Sequence, residues 1–221
     1  MNTRDVLALC DHTELRPSAT EKDIFALIDD ALAYGTASVC IPPCFVSSAV
    51  SYARGGMPVC TVIGFPCGYQ TTENKCKETE EALKNGASEI DMVINIGALK
   101  NQQYDSVLEE IRALKKLCGD RILKVIIETC FLTDEEKKIA CRLVSEAGAD
   151  FIKTSTGFGS GGATVADVRL LRANVATSVR VKASGGIRTL DFARELIAAG
   201  ADRLGASALV REAKKESSYE L

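Results

Sequence analysis

The chain has 221 residues, 46% hydrophobic and 26% charged, which suits one globular domain with a full core. Its 27 basic and 30 acidic residues give a net charge of −3, and without a concentrated basic face this argues against nucleic acid as the main partner. No window is apolar over the length of a membrane span, and MNTRDVLALC has no apolar run before a small-residue cleavage site, so a cytoplasmic protein with no membrane partner is expected.

Nine cysteines, an odd number without the paired spacings of a disulfide framework, read as reduced thiols. His12 is the only histidine and no CxxC pair occurs, so no zinc site is expected, although Cys40 and Cys44 lie close in sequence.

In chain order, strands are predicted at 7–13, 38–41, 59–65, 89–94, 123–129, 151–156, 179–184 and 203–207. Helices are predicted between them, at about 20–35, 45–54, 71–85, 101–117, 133–147, 164–174 and 189–199, with one more after Ser207. One junction recurs: AYGTASVCI (33–41), KNGASEIDMVI (84–94), EAGADFIKT (146–154) and AAGADRLGA (198–206) each set a glycine after a helical run and an apolar strand soon after it. The glycine suits a left-handed helix stop. Eight alternations in one short chain predict a closed (β/α)8 TIM barrel in the α/β class, a single domain over 1–221, with an open doubly wound sheet as the alternative. From about residue 213 the chain, ending ESSYEL, reads as a mobile polar tail.

A barrel gathers its chemistry at the C-terminal ends of its strands, where Asp11, His12, Thr13, Cys40, Asp91, Asn95, Lys124, Glu128, Lys153, Ser155, Lys182 and Ser184 would converge. Alternation puts Asp91 on one face with Val93 and Asn95, and Lys182 on one face with Arg180 and Ser184. Lysines in the strand-like runs FIKTSTG (151–157), VRVKASGG (179–186) and LKVIIET (123–129) suggest one shared polar site, because an interior ammonium must pair with a carboxylate or lose its proton.

If Lys153 and Lys182 face each other from adjacent strands, two ammonium groups about 5.5 Å apart at an effective dielectric of about 20 repel by roughly 3 kcal/mol. That lowers one amine by about two units from 10.4. A neutral amine can attack a carbonyl and form a Schiff base that drains electrons from an adjacent carbon–carbon bond. The second lysine stays cationic and passes protons, and Asp91 serves as general acid or base. The competing account is a set of buried ion pairs in which Asp91, Asp11 and Glu128 neutralise the three lysines. Such networks are often replaceable by apolar residues without loss of stability, so stability alone does not explain them. Spacing does not choose between Lys153 and Lys182.

Glycine-rich loops follow the last three strands, in TSTGFGSGG (154–162), ASGGIR (183–188) and RLGASA (203–208). Backbone N–H groups there, with a following helix N-terminus, are where barrels hold phosphate. Gly157, Gly185, Gly186, Arg188, Gly205 and Ser207 are the candidates.

The motifs DHTELRP, SVCIPP, VIGFPCG, EIDMVINIG, LKVIIET, FIKTSTG, VKASGGIRT and LGAS occur in this order from Asp11 to about Ser207. Together they closely resemble the deoxyribose-phosphate aldolase family of class I aldolases. The resemblance implies reversible cleavage of 2-deoxy-D-ribose 5-phosphate to D-glyceraldehyde 3-phosphate and acetaldehyde, in deoxyribose phosphate catabolism, with no metal or organic cofactor and commonly as a homodimer or homotetramer. It implies Lys153 as the Schiff-base lysine, Lys182 as the group that lowers its pKa and assists proton transfer, and Asp91 as proton donor or acceptor. Relatives often read DHTLLKP where this chain has Glu14 and Arg16, and GFPHG where it has Cys67. Family members often carry a terminal tyrosine thought to enter the site; here Tyr219 is followed by two residues. Cys40, near where aldehydes gather, is expected to be modified by concentrated or unsaturated aldehydes. The rival readings are a transaldolase-like Schiff-base barrel and a non-catalytic sugar-phosphate binding protein.

Overall fold

The computed structural model describes residues 1–219, with side chains through 216. Strands β1 (Cys10–Thr13), β2 (Ser38–Ile41), β3 (Val59–Ile63), β4 (Glu89–Val93), β5 (Ile122–Ile126), β6 (Phe151–Lys153), β7 (Arg180–Ser184) and β8 (Arg203–Ala206) are parallel and close into a barrel in sequence order. Closure is made by β8 against β1, with Cys10 opposite Leu204 and His12 opposite Ala206. The open-sheet alternative is thereby set aside.

Helices α1 (Thr3–Leu7), α2 (Glu21–Tyr34), α3 (Val46–Ala53), α4 (Thr72–Lys84), α5 (Ile96–Lys100), α6 (Tyr104–Cys118), α7 (Asp134–Glu146), α8 (Val165–Asn174), α9 (Leu190–Ala198) and α10 (Leu209–Tyr219) follow the predicted alternation with two additions. Residue 7, expected to open the first strand, instead ends α1, which is started by a reciprocal cap between Asn2 and Asp5. Asn95, expected to face the mouth, caps α5 by accepting from Ala98 N at 3.0 Å. Thr20 with Asp23 and Thr133 with Glu136 form the same reciprocal caps on α2 and α7, and Gly35 ends α2 in the left-handed region at φ 64°. The tail expected from about 213 is displaced, because α10 runs through that point. Leu209, Val210 and Ala213 are buried at helical spacing and hold it to the barrel. Among the described residues no helix is long and apolar enough to cross a membrane.

The helices cover an outer layer of strand side chains such as Ile90, Met92, Leu123 and Val125, all fully buried. The inward face carries charge instead. Register fixes its order: Asp91 lies opposite Lys124, Lys153 opposite Lys182, and Lys182 opposite Arg203. Phe151 fills the layer below, with the Arg180 guanidinium 4.0 Å above its ring centre and that of Arg203 at 5.6 Å.

Candidate active site

Asp91 on β4 is the hub of the interior. Its Oδ1 accepts from Lys124 Nζ at 2.8 Å, and its Oδ2 accepts from Lys153 Nζ and Lys182 Nζ, each at 2.7 Å. Asp11 on β1 also accepts from Lys182, and it takes Arg203 at 2.6 Å and Ser38 Oγ at 2.8 Å. Glu89, two residues before Asp91 on the same face, lies 2.5 Å from Lys124 and 3.5 Å from Arg203. Four basic side chains therefore meet three carboxylates in the barrel interior, most of them fully buried.

Burial alone would raise both aspartates, but Lys124, Lys153 and Lys182 around Asp91 and Lys182, Lys124 and Arg203 around Asp11 hold both below the ordinary carboxylate range. Burial would likewise lower Lys182 and Lys124. The carboxylates outweigh it, with Asp11 and Asp91 holding Lys182, and Asp91 and Asp11 among the groups holding Lys124, above the ordinary lysine range. Lys182 is thus held as a cation by the two carboxylates that bind it directly.

The sites of the other expected residues divide clearly. His12 lies on the opposite face of β1 from Asp11 and Thr13, under the helices. Burial lowers its imidazole against the opposing pull of Asp30, so it does not join the mouth. Glu128, expected to neutralise a lysine, instead accepts from Thr156. Thr13 reaches the mouth with its hydroxyl donating to Asp11 O at 2.8 Å, while Ser155 is buried and donates to Thr154 Oγ1 at 3.1 Å. Cys40 is fully buried opposite Cys60, whose thiol donates to Asp91 Oδ1 at 3.1 Å. The Cys40 thiol, hydrogen-bonded with Cys60, sits below the ordinary thiol range. Cys40, Cys60 and Asp91 offer atoms within 4.8 Å of one another, a spacing a metal ion could use. The Lys124 ammonium already donates to Cys60 at 3.3 Å and to Asp91. The Tyr219 side chain lies outside the described residues.

Above the cluster opens a cavity of about 610 Å³. Lys153 reaches it; Lys124, Lys182 and Asp91 do not. All six phosphate candidates, Gly157, Gly185, Gly186, Arg188, Gly205 and Ser207, line its far wall. Gly157 and Gly185 have φ of 86° and 85°, and a Cβ on Gly185 would come within 3.1 Å of Gly162 Cα, so the fold here needs glycine. Arg16 also lines the cavity, braced by Glu14 through contacts of 2.5–2.9 Å, while Cys67 is exposed. Sequence reasoning missed Arg211, in the first turn of α10, which gives the cavity a third arginine. It also missed Glu89 and Arg203, although period-two alternation from Asp91 and position opposite Lys182 would have found both.

The model of the DeoC/LacD family aldolases matches residues 6–212. The chain belongs to the DeoC/LacD aldolase family. It is 51% identical over 216 residues to a deoxyribose-phosphate aldolase from Clostridium botulinum (strain Eklund 17B / Type B), covering 98% of each chain. It is 51% identical over 217 residues to one from Streptococcus pyogenes serotype M4 (strain MGAS10750), covering 98% of this chain and 97% of that relative. A deoxyribose phosphate aldolase from Aeropyrum pernix, described as a unique tetramer, superimposes with a TM-score of 0.91 at 32% identity, over 99% of this chain and 93% of that one. Family membership and a lysine cluster beneath an arginine-rimmed cavity thus meet in one place.

Proposed function

We propose that the protein cleaves 2-deoxy-D-ribose 5-phosphate reversibly to D-glyceraldehyde 3-phosphate and acetaldehyde through a Schiff base on Lys153. The observation that carries this reading is that Lys153, alone among the three clustered lysines, faces the cavity. Lys124 and Lys182 are each fixed by two or more carboxylates, whereas Lys153 has Asp91 as its one carboxylate among the described residues.

In this reading the Lys153 amine adds to C1 of the open-chain sugar and expels water, leaving a protonated imine. A base removes the C3 hydroxyl proton, the C2–C3 bond breaks, and its electrons settle into the imine as an enamine. Glyceraldehyde 3-phosphate leaves, C2 takes a proton, and water releases acetaldehyde. Asp91, shared by Lys153 and Lys182, relays protons directly or through one water, and Lys182 keeps positive charge beside the developing imine. The phosphate occupies the glycine wall formed by the loops after β6, β7 and β8, with Arg188, Arg16 and Arg211 at its rim. We place this activity in deoxyribose phosphate catabolism in the cytoplasm, in a homodimer or homotetramer, an assembly that sedimentation of the purified protein would measure.

Borohydride reduction in the presence of acetaldehyde, followed by peptide mass spectrometry, tests the reading. A two-carbon adduct on the 151–157 peptide that disappears in Lys153→Ala supports it. A folded protein that binds deoxyribose 5-phosphate and forms no adduct is a binding protein, and the reading fails.

A further inference from the structure

Glu128 is the one buried acid at the mouth that the lysine cluster leaves unused. It stands just past the end of β5, 1% exposed, with its backbone in the left-handed region at φ 52° and ψ 70°. A side chain other than glycine, asparagine or aspartate rarely adopts that conformation unless its surroundings require it. Two things here require it. Thr129 N, the next backbone donor, turns back to bond Thr154 O at 2.8 Å, which keeps β5 joined to β6 beyond the regular ladder. The same turn aims the carboxylate across the mouth at the loop after β6. There it accepts from Thr156 Oγ1 and from Thr156 N at 3.2 Å.

That contact propagates into the phosphate wall. Thr156 Oγ1 in turn accepts from Phe158 N at 3.0 Å, so the carboxylate fixes both ends of the segment that carries Gly157. The loop then passes directly over the carboxylate: a Cβ on Gly159 would lie 3.1 Å from Glu128 Cδ. Three residues later it lies against the β7 loop, where a Cβ on Gly162 would lie 2.3 Å from Gly185 O. Glu128 is therefore the fixed post at one end of a loop whose other end rests on Gly185, and Gly157 and Gly185 both line the cavity.

We infer that Glu128 is a positioning residue for the phosphate subsite: it holds the Thr156–Phe158 loop, whose outer two N–H groups bond inward, so that the backbone of Gly157 between them faces the substrate's phosphate. This rests on the aldolase reading above. It predicts a defect confined to recognition of the phosphoryl group, since the carboxylate touches neither Lys153 nor Asp91 in any contact described for it.

The experiment compares 2-deoxyribose 5-phosphate with unphosphorylated 2-deoxyribose in the parent, in Glu128→Gly and in Glu128→Gln. Glycine accepts the left-handed backbone without strain, so the first variant removes the carboxylate and leaves the turn. Its ratio of kcat/KM for the phosphorylated over the unphosphorylated sugar is expected to fall by about tenfold or more, the order expected for a lost charged hydrogen bond. Glutamine, whose amide oxygen still accepts from Thr156, should recover part of the ratio. A parent that prefers the phosphorylated sugar beside a Glu128→Gly enzyme with an unchanged ratio overturns the inference, as does a parallel loss on both sugars, which would make Glu128 a purely structural residue. A parent without any preference for the phosphorylated sugar overturns the phosphate-site reading itself.

Discussion

Replacing Lys182 with methionine separates its role from that of Lys153. Both ammonium nitrogens lie 2.7 Å from the same Asp91 oxygen, so their separation is at most twice that, 5.4 Å. At an effective dielectric of about 20, two unit charges at that distance repel by at least roughly 3 kcal/mol. Lys182 is held as a cation by Asp11 and Asp91, so its charge stands beside the nitrogen proposed to attack the carbonyl. Removing that charge changes the interaction there by about 3 kcal/mol, which corresponds to a rate lower by roughly 150-fold. The fold should survive, because Asp11 keeps Arg203 at 2.6 Å and Lys124 at 3.6 Å, and Asp91 keeps Lys124 and Lys153. The assay is the rate of imine formation with acetaldehyde at pH 7.5, followed by timed borohydride quenching and mass spectrometry. Lys182→Met should still label the 151–157 peptide, at about one hundredth of the parent rate. Imine formation within threefold of the parent, or an adduct on the 179–186 peptide of the parent, would refute the reasoning.

The carboxyls of Asp11 and Asp91 are held below their ordinary range, so the unfolded chain binds more protons in acid. Stability present above about pH 4 should be lost as pH falls further, while the raised Lys182 and Lys124 contribute below about pH 10.4 and lose that contribution in stronger alkali; urea midpoints across pH would show this plateau with two falling sides. Lys75→Met should cost about 3–5 kcal/mol in urea unfolding, because it strands the buried Glu110 carboxylate that Lys75 meets at 2.8 Å, and a Lys75→Met/Glu110→Leu pair should recover much of it; no recovery would remove the ion pair as the cause. Cys40→Ala should retain activity longer than the parent during timed exposure to concentrated or unsaturated aldehyde, and equal decay would assign the damage to another residue.

The barrel was legible because two periods were: apolar residues at helical spacing, and strands bracketed by recurring glycine stops. Strand-end position also drew Asp91, Lys124, Lys153 and Lys182 into one site. It could not rank the lysines, since that depends on how many carboxylates reach each nitrogen from other strands, a quantity set by register. Glu128 shows the same limit, because a left-handed glutamate has no sequence signature, and its expected lysine partner proved to be a threonine in the loop after the neighbouring strand. Lys75 was invisible for a related reason. On α4 it reads as one more helix lysine, and only the packing of α6 brings Glu110 to it and buries both. The start of α10 was less legible, because Leu209, Val210 and Ala213 are its buried residues in an otherwise polar run.

The lysines also differ in how many carboxylates hold them. Among the described residues Lys124 meets three, Asp11, Glu89 and Asp91; Lys182 meets two; Lys153, which alone reaches the cavity, meets one. Burial penalises a charge most where water is farthest, so the deepest ammonium needs the most anionic partners to persist. The count is lowest at the cavity, where Lys153 has a single carboxylate partner, Asp91. An apolar interior of equal volume would serve stability as well or better. It would not produce this gradient, in which two cations fixed by several carboxylates stand beside a third lysine that is held by one and faces the cavity. The graded pairing therefore fits the proposed Schiff-base role of Lys153, which alone of the three lysines reaches the cavity.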